Sequence, residues 1–100
     1  MELFPRRMIT IVTEAALERD LIAELEGLGV HGFTISDVRG KGSRGTRRGE
    51  WAPDGNIRID VVCEQAAAER IAERVRDRYY DHYAMILYVQ DVSVLRPEKF

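Results

Sequence analysis

The chain has one cysteine, Cys63, among its 100 residues, so it cannot close an internal disulfide and it suits a reducing compartment. No apolar run approaches the roughly eighteen residues that a membrane-crossing helix needs. The opening MELFPRRM lacks the apolar stretch of a signal peptide, so a cytoplasmic location is expected, with any membrane association made through a partner. Neither GxxxxGKS nor GxxxxGKT occurs, which excludes a P-loop. There is no HxxxH or CxxC, and His31 and His82 read as polar caps at the ends of elements. No metal is therefore expected. Glu14, Asp37, Asp60 and Asp91 show no spacing that demands carboxylate catalysis, so the chain is not expected to be an enzyme. The formal net charge of −2 lacks the basic face of a general nucleic-acid binder, and no nucleic acid is expected as partner.

What is present is a globular composition, 45% hydrophobic, in a chain of single-domain length. MITIVT, residues 8–13, reads as a strand. Leu17, Leu21, Leu25 and Leu28 then recur on one helical face, with Gly27 and Gly29 closing the helix. HGFTISDV (31–38) and NIRIDVVCE (56–64) read as a second and a third strand. QAAAERIAERVRDRYY is a strong helix with Ala68, Ile71, Ala72, Val75 and Tyr79 on one face and Glu/Arg pairs on the other. YAMILYVQDVSVL, residues 83–95, is a fourth strand. The order β-α-β-β-α-β is the ferredoxin-like α+β arrangement, with both helices on one face of a four-stranded sheet. The last strand is apolar on both of its alternating faces, Ile86, Tyr88, Val92 and Val94 against Met85, Leu87, Val89 and Leu95. A sheet buried on one side only would alternate apolar with polar, so the second face is expected to pack on another copy of the chain.

The segment between the second and third strands, roughly residues 40–55, is far longer than a hairpin needs. Its core, Arg39–Gly49, holds five basic residues, four glycines and no acidic residue. The rest of the chain has ten basic and seventeen acidic residues, so a segment of +5 is set in a body of −7. Glycines at 40, 42, 45 and 49 let backbone amides approach an anion, and Ser43 and Thr46 add hydroxyls. Arg44, Arg47 and Arg48 suit paired hydrogen bonds to phosphate oxygens. Residue types alone leave three readings open: a solvated loop without internal reason to fold, a phosphate or nucleotide site, and a contact for RNA or another acidic partner. Trp51, the only tryptophan, is either a packing anchor or a partner contact. A low-activity nucleotide phosphate hydrolase, with the basic loop stabilising charge, is a further alternative.

Several strings together resemble the PII signalling superfamily, and more closely its PII-like proteins of the SbtB type. They are TIVTE (10–14), GFTISDVRGKGSRG (32–45), NIRIDV (56–61) and AERIAERVRDRYYDHYAMILYVQDVSVL (68–95), with GKGSR followed by Arg47 the most specific. The resemblance covers almost the whole chain. It implies a single PII-like domain over residues 1–100, a homotrimer, and adenine nucleotides (cAMP, AMP, ADP or ATP) bound between subunits. The long loop would be the T-loop, docking on a membrane bicarbonate transporter and so regulating inorganic-carbon uptake in a carbon-concentrating mechanism. Bicarbonate, a small anion, suits the same loop.

By position, the resemblance places Gly40, Gly42, Ser43, Arg44 and Arg47 at the phosphate, and Thr34 next to the nucleotide. It sets Asp60 and Val62 beside the base, and Tyr83, Ala84 and Met85 at the start of the last strand where backbone meets the adenine edge. Relatives with glycine at the position of Met85 have more room there, so a larger side chain is expected to narrow the base pocket. Arg48 and Trp51 are the expected partner contacts. PII proteins also carry a glycine-rich phosphate loop before the last strand, whereas DHYAM has no glycine, which favours ligands with one phosphate.

Overall fold

The computed structural model describes residues 1–40 and 55–100. Strands β1 (Phe4–Glu14), β2 (Thr34–Val38), β3 (Asn56–Cys63) and β4 (Ile86–Val94) form one sheet in the order β2-β3-β1-β4. The pairings are antiparallel, and helices α1 (Glu18–Gly27) and α2 (Gln65–Tyr79) join β1 to β2 and β3 to β4. This is the ferredoxin-like arrangement that the element order implies.

Ile9 and Ile11 of β1 and Ile57, Ile59, Val61 and Cys63 of β3 point to one side. There they meet Leu17, Leu21 and Leu25 and, from α2, Ala68, Ile71 and Val75 in a single core. Both helices therefore cover the same face. β3 shows the period of two directly, alternating half-buried and buried residues along its length.

The element ends differ from the sequence expectations for identifiable reasons. β1 begins at Phe4 and not at Met8, because its ladder with β4 runs beyond the apolar stretch. Pro5 is tolerated there since β3 joins β1 only from Arg7 onward, leaving Pro5 with β4 alone. β2 starts at Thr34, since it is an edge strand whose only partner reaches it at Asp60. A one-turn 3₁₀ segment, Ala15–Leu17, precedes α1, and Gly29 rather than Gly27 closes that helix. Gly29 has φ +85°, its N–H donates to the Glu26 carbonyl, and the Val30 N–H reaches back to that of Leu25, a Schellman closure that needs the left-handed residue.

The fourth strand starts at Ile86 and not at Tyr83; Tyr83, Ala84 and Met85 belong to the turn before it. Its inner face is only partly covered, with Leu87 packed on the core and Val89 42% exposed, as befits an edge strand lying beyond the helix layer. On the open side Ile86 and Tyr88 remain exposed.

Replacing Ile59, fully buried at the centre of the core, by alanine should cost about 2–5 kcal/mol in urea unfolding. Ile86→Ala, 48% exposed within the single chain, should cost much less in a monomeric state. Equal costs would show that the two positions are comparably buried.

Candidate nucleotide site

The sheet face away from the helices carries a polar row across all four strands. Thr34 pairs with Asp60, Asp60 with Thr10, and Thr10 with Tyr88. Thr10 is fully buried, and its hydroxyl donates to Asp60 Oδ1 at 2.6 Å. Arg58, two residues along β3 and so on the same face, donates through Nε to Oδ1 at 3.1 Å and to Oδ2 at 3.0 Å. The hydrogen bond to Asp60, and then the charge of Asp60, make Arg58 hold its proton more firmly than usual; Tyr88 adds to the effect.

Asp60, the expected acceptor beside a base, is thus already oriented by two partners. Among the described residues these bonds engage three of its four lone-pair positions, two on Oδ1 and one on Oδ2. Neither Thr10 nor Arg58 is among the residues that the sequence marks for the site. Arg58 is within its reach, because N-I-R-I-D sets Arg58 and Asp60 on one face. Thr10 is not, since it lies fifty residues from Asp60 and only strand register brings them together.

Val62 lines a cleft of about 230 Å³ with Gly29–Gly32, Cys63, Glu64 and Ala67, closed on one side by the C-terminal Lys99 and Phe100. His31 and Lys99 supply polar or basic groups there, brought together from distant parts of the chain by the fold alone. Cys63 lies on the inner side of the same wall, and burial pushes its thiol pKa up more than nearby Arg70 pulls it down.

Gly40 lies just past β2, exposed, and among the described residues a Cβ added there would meet nothing within 4 Å. Val38 pairs with Asn56, so the two ends of the long loop leave from one point, and Gly55 at φ +75° closes the far end. The Gly55 carbonyl accepts from the Ala15 N–H at 2.9 Å. Gly42, Ser43, Arg44, Arg47, Arg48 and Trp51 lie outside the described residues.

Tyr83, Ala84 and Met85 sit at the same end of the sheet as the loop stem but at the opposite edge. The His82 and Tyr83 N–H groups both donate to the Tyr79 carbonyl at 3.0 Å, and the Tyr83 ring meets that of Tyr79 at 6.0 Å between centroids. The Met85 side chain is 7% exposed and packs in the core beneath this turn. The predicted contacts therefore fall into two groups. Thr34, Gly40, Asp60 and Val62 occupy the β2–β3 side, and Tyr83–Met85 the β4 side. Three strand spacings, roughly 14 Å, separate the β2 and β4 edges.

Among the described residues no cluster of His, Cys, Asp or Glu is suited to a metal, and no helix is long and apolar enough to cross a membrane.

Thr10→Val, which keeps shape and removes the hydroxyl, should cost about 1.5–3 kcal/mol in chemical denaturation, because a carboxylate loses its buried donor. Arg58→Ala, at a more exposed position, should cost less; the reverse order would make the guanidinium the principal anchor of Asp60. A raised thiol pKa means less thiolate at neutral pH. Cys63 should therefore resist a thiol reagent in the folded protein and react at the ordinary rate once unfolded; fast native labelling would contradict its burial.

Residues 6–99 match the family model of the nitrogen regulatory protein P-II. The chain is 39% identical to a PII-like signalling protein of Thermus thermophilus, over 99% of this chain and 98% of that one, with a TM-score of 0.83. It is 28% identical to CPII of Thiomonas intermedia, solved bound to ADP and bicarbonate, over 99% and 97% of the two chains with a TM-score of 0.85. Against CPII bound to ADP, AMP and acetate the identity is 26% over 100% and 98%, and the TM-score 0.86. With its fold, strand order and nearly full length all matched, the chain belongs to the P-II family and is a PII-like signalling protein.

Proposed function

We propose that this chain is an adenine-nucleotide sensor of the SbtB type, a single domain over residues 1–100 that works as a homotrimer and signals without catalysing a reaction. The observation that carries this reading is the division of the predicted contacts between the β2–β3 side of the sheet and the turn into β4. One nucleotide meeting both Asp60 and the Tyr83–Met85 backbone fits between neighbouring copies more readily than within one chain. The open sheet face, with Ile86 and Tyr88 exposed, offers the surface for such copies to meet. CPII, similar over nearly its whole length, is solved with ADP, AMP and bicarbonate, the ligand classes this site suits.

In this scheme Thr34, Asp60 and Val62 hold the base on one side, and the backbone of Tyr83, Ala84 and Met85 meets it from the other. Gly40, Gly42, Ser43, Arg44 and Arg47 take the phosphate. The α2–β4 turn has no glycine to cradle further phosphates, which favours AMP or cAMP over ATP. Phosphate binding ties the base of the T-loop, about residues 40–55, to the ligand and sets how Arg48 and Trp51 present themselves to a membrane bicarbonate transporter. The protein would then be cytoplasmic and peripheral to the membrane. The ligand can bias that docking only by its differential affinity for the two loop arrangements. Two or three charge-assisted hydrogen bonds of about 1.5–3 kcal/mol each are sufficient for that. Bicarbonate is a second candidate ligand for the basic loop.

Calorimetric titration with cAMP, AMP, ADP, ATP and GMP tests the reading. Adenine-selective binding near one ligand per chain is expected, with Arg44→Ala weakening every phosphorylated ligand about 10- to 100-fold and leaving the oligomer intact. Binding that is weak and indifferent to the base would sink the sensor and leave a polyanion-binding loop. A monomeric or unfolded Arg44→Ala protein would make that arginine structural.

A further inference from the structure

Glu24 lies on α1, which bears none of the predicted ligand contacts, yet its side chain is only 11% exposed and gathers two arginines from α2. Arg74 donates through one guanidinium nitrogen to Oε1 at 3.2 Å, and Arg78 donates to Oε1 at 3.0 Å and to Oε2 at 3.1 Å. Tyr79, next to Arg78, is the last residue of α2, and its contacts run forward: its ring packs at 43° against Tyr83, and its carbonyl receives the His82 and Tyr83 amides. Two residues later Met85 is sunk in the core. The turn before β4 is therefore pinned on both sides of Ala84, upstream through Tyr79 and downstream through Met85.

We propose that Glu24 is a positioning residue, which through Arg78 anchors the last turn of α2 and so fixes the orientation of the Tyr83–Met85 turn that a nucleotide base would meet. The ligand in this statement rests on the nucleotide reading above, whereas the geometry of the relay does not. A plain tie between helices would need one arginine and would end at Arg74. Here the carboxylate also engages the last turn of α2, where the backbone leaves the helix for the site.

The experiment compares wild type with Glu24→Gln and with Arg78→Ala. Arg78 is well exposed, so its loss does not threaten folding if Glu24→Gln should do so. Amide hydrogen exchange is read at His82 and Tyr83 and, as the control, at Ile71 within α2, and AMP affinity is measured on the same samples. Exchange at His82 and Tyr83 should rise about tenfold with Ile71 unchanged, and AMP should bind about five- to tenfold more weakly. Unchanged exchange at His82 and Tyr83, or a rise shared equally by Ile71, would reduce Glu24 to a tie between helices and overturn the proposal. A local rise with AMP affinity intact would also overturn it, since the turn would then not need to be positioned. Failure of wild type to bind AMP would defeat the nucleotide reading by itself, and the exchange pattern would still decide whether Glu24 controls the turn.

Discussion

Both helices lie on one side of a four-stranded sheet, and the distribution of every other group follows from that asymmetry. The covered side has Ile9, Ile11, Ile57 and Ile59 beneath Leu21, Leu25, Ile71 and Val75, and it holds the chain together. The other side has no helix to meet. There the interior strands carry Thr10, Asp60 and Arg58, joined to one another because a carboxylate held against a sheet must have its donors supplied locally. The outer strand on that side exposes Ile86 and Tyr88. An open face that is apolar at its margin and internally satisfied at its polar centre is suited to being covered by a surface of like kind.

The sequence made the architecture legible wherever one element's own period decides its fate. α2 and β3 fall within a residue of their expected ends, because the 3.6-residue recurrence of Ala68, Ile71 and Val75 and the alternation from Ile57 to Cys63 are local signals. The ends of β1, β2 and β4 were less legible, since they depend on where a neighbour's ladder begins. Phe4–Arg7 is strand because Asp91–Val94 runs alongside it, and Tyr83–Met85 is not strand although its composition suits one. Which of two glycines closes α1 is likewise a matter of hydrogen-bond geometry, which composition does not encode.

For the site, the same distinction separates types from arrangements. An acidic residue on an outward strand face, Asp60, was readable; that its oxygens are shared with Thr10 and Arg58 was not. Met85 is the instructive case. Its size alone suggested a narrowed pocket, whereas the turn leading into β4 places its side chain in the core, which composition does not encode. The basic loop was conspicuous by charge, while the placement of its stem beside Gly55, at the same end of the sheet as the Tyr83 turn, depends on the β2–β3 register.

The separation of the β2 and β4 edges has a thermodynamic consequence for a ligand that bridges copies. If half of its contacts come from the Asp60 side of one chain and half from the Tyr83 turn of the next, ligand binding and assembly are linked functions. Ligand then stabilises the oligomer by as much as assembly tightens the ligand, whichever is measured. The relay from Glu24 enters this linkage on the Tyr83 side alone, from the covered face of the sheet, where no copy need touch it. The basic loop enters on the β2–β3 side, where the phosphate would lie. In the proposed reading, orientation of the turn and neutralisation of the phosphate would thus come to one bound molecule from different parts of the fold. A change in either is felt at the other only through the ligand and the contact between copies, which is the arrangement a sensor needs if its output loop is to respond to occupancy without being part of the core.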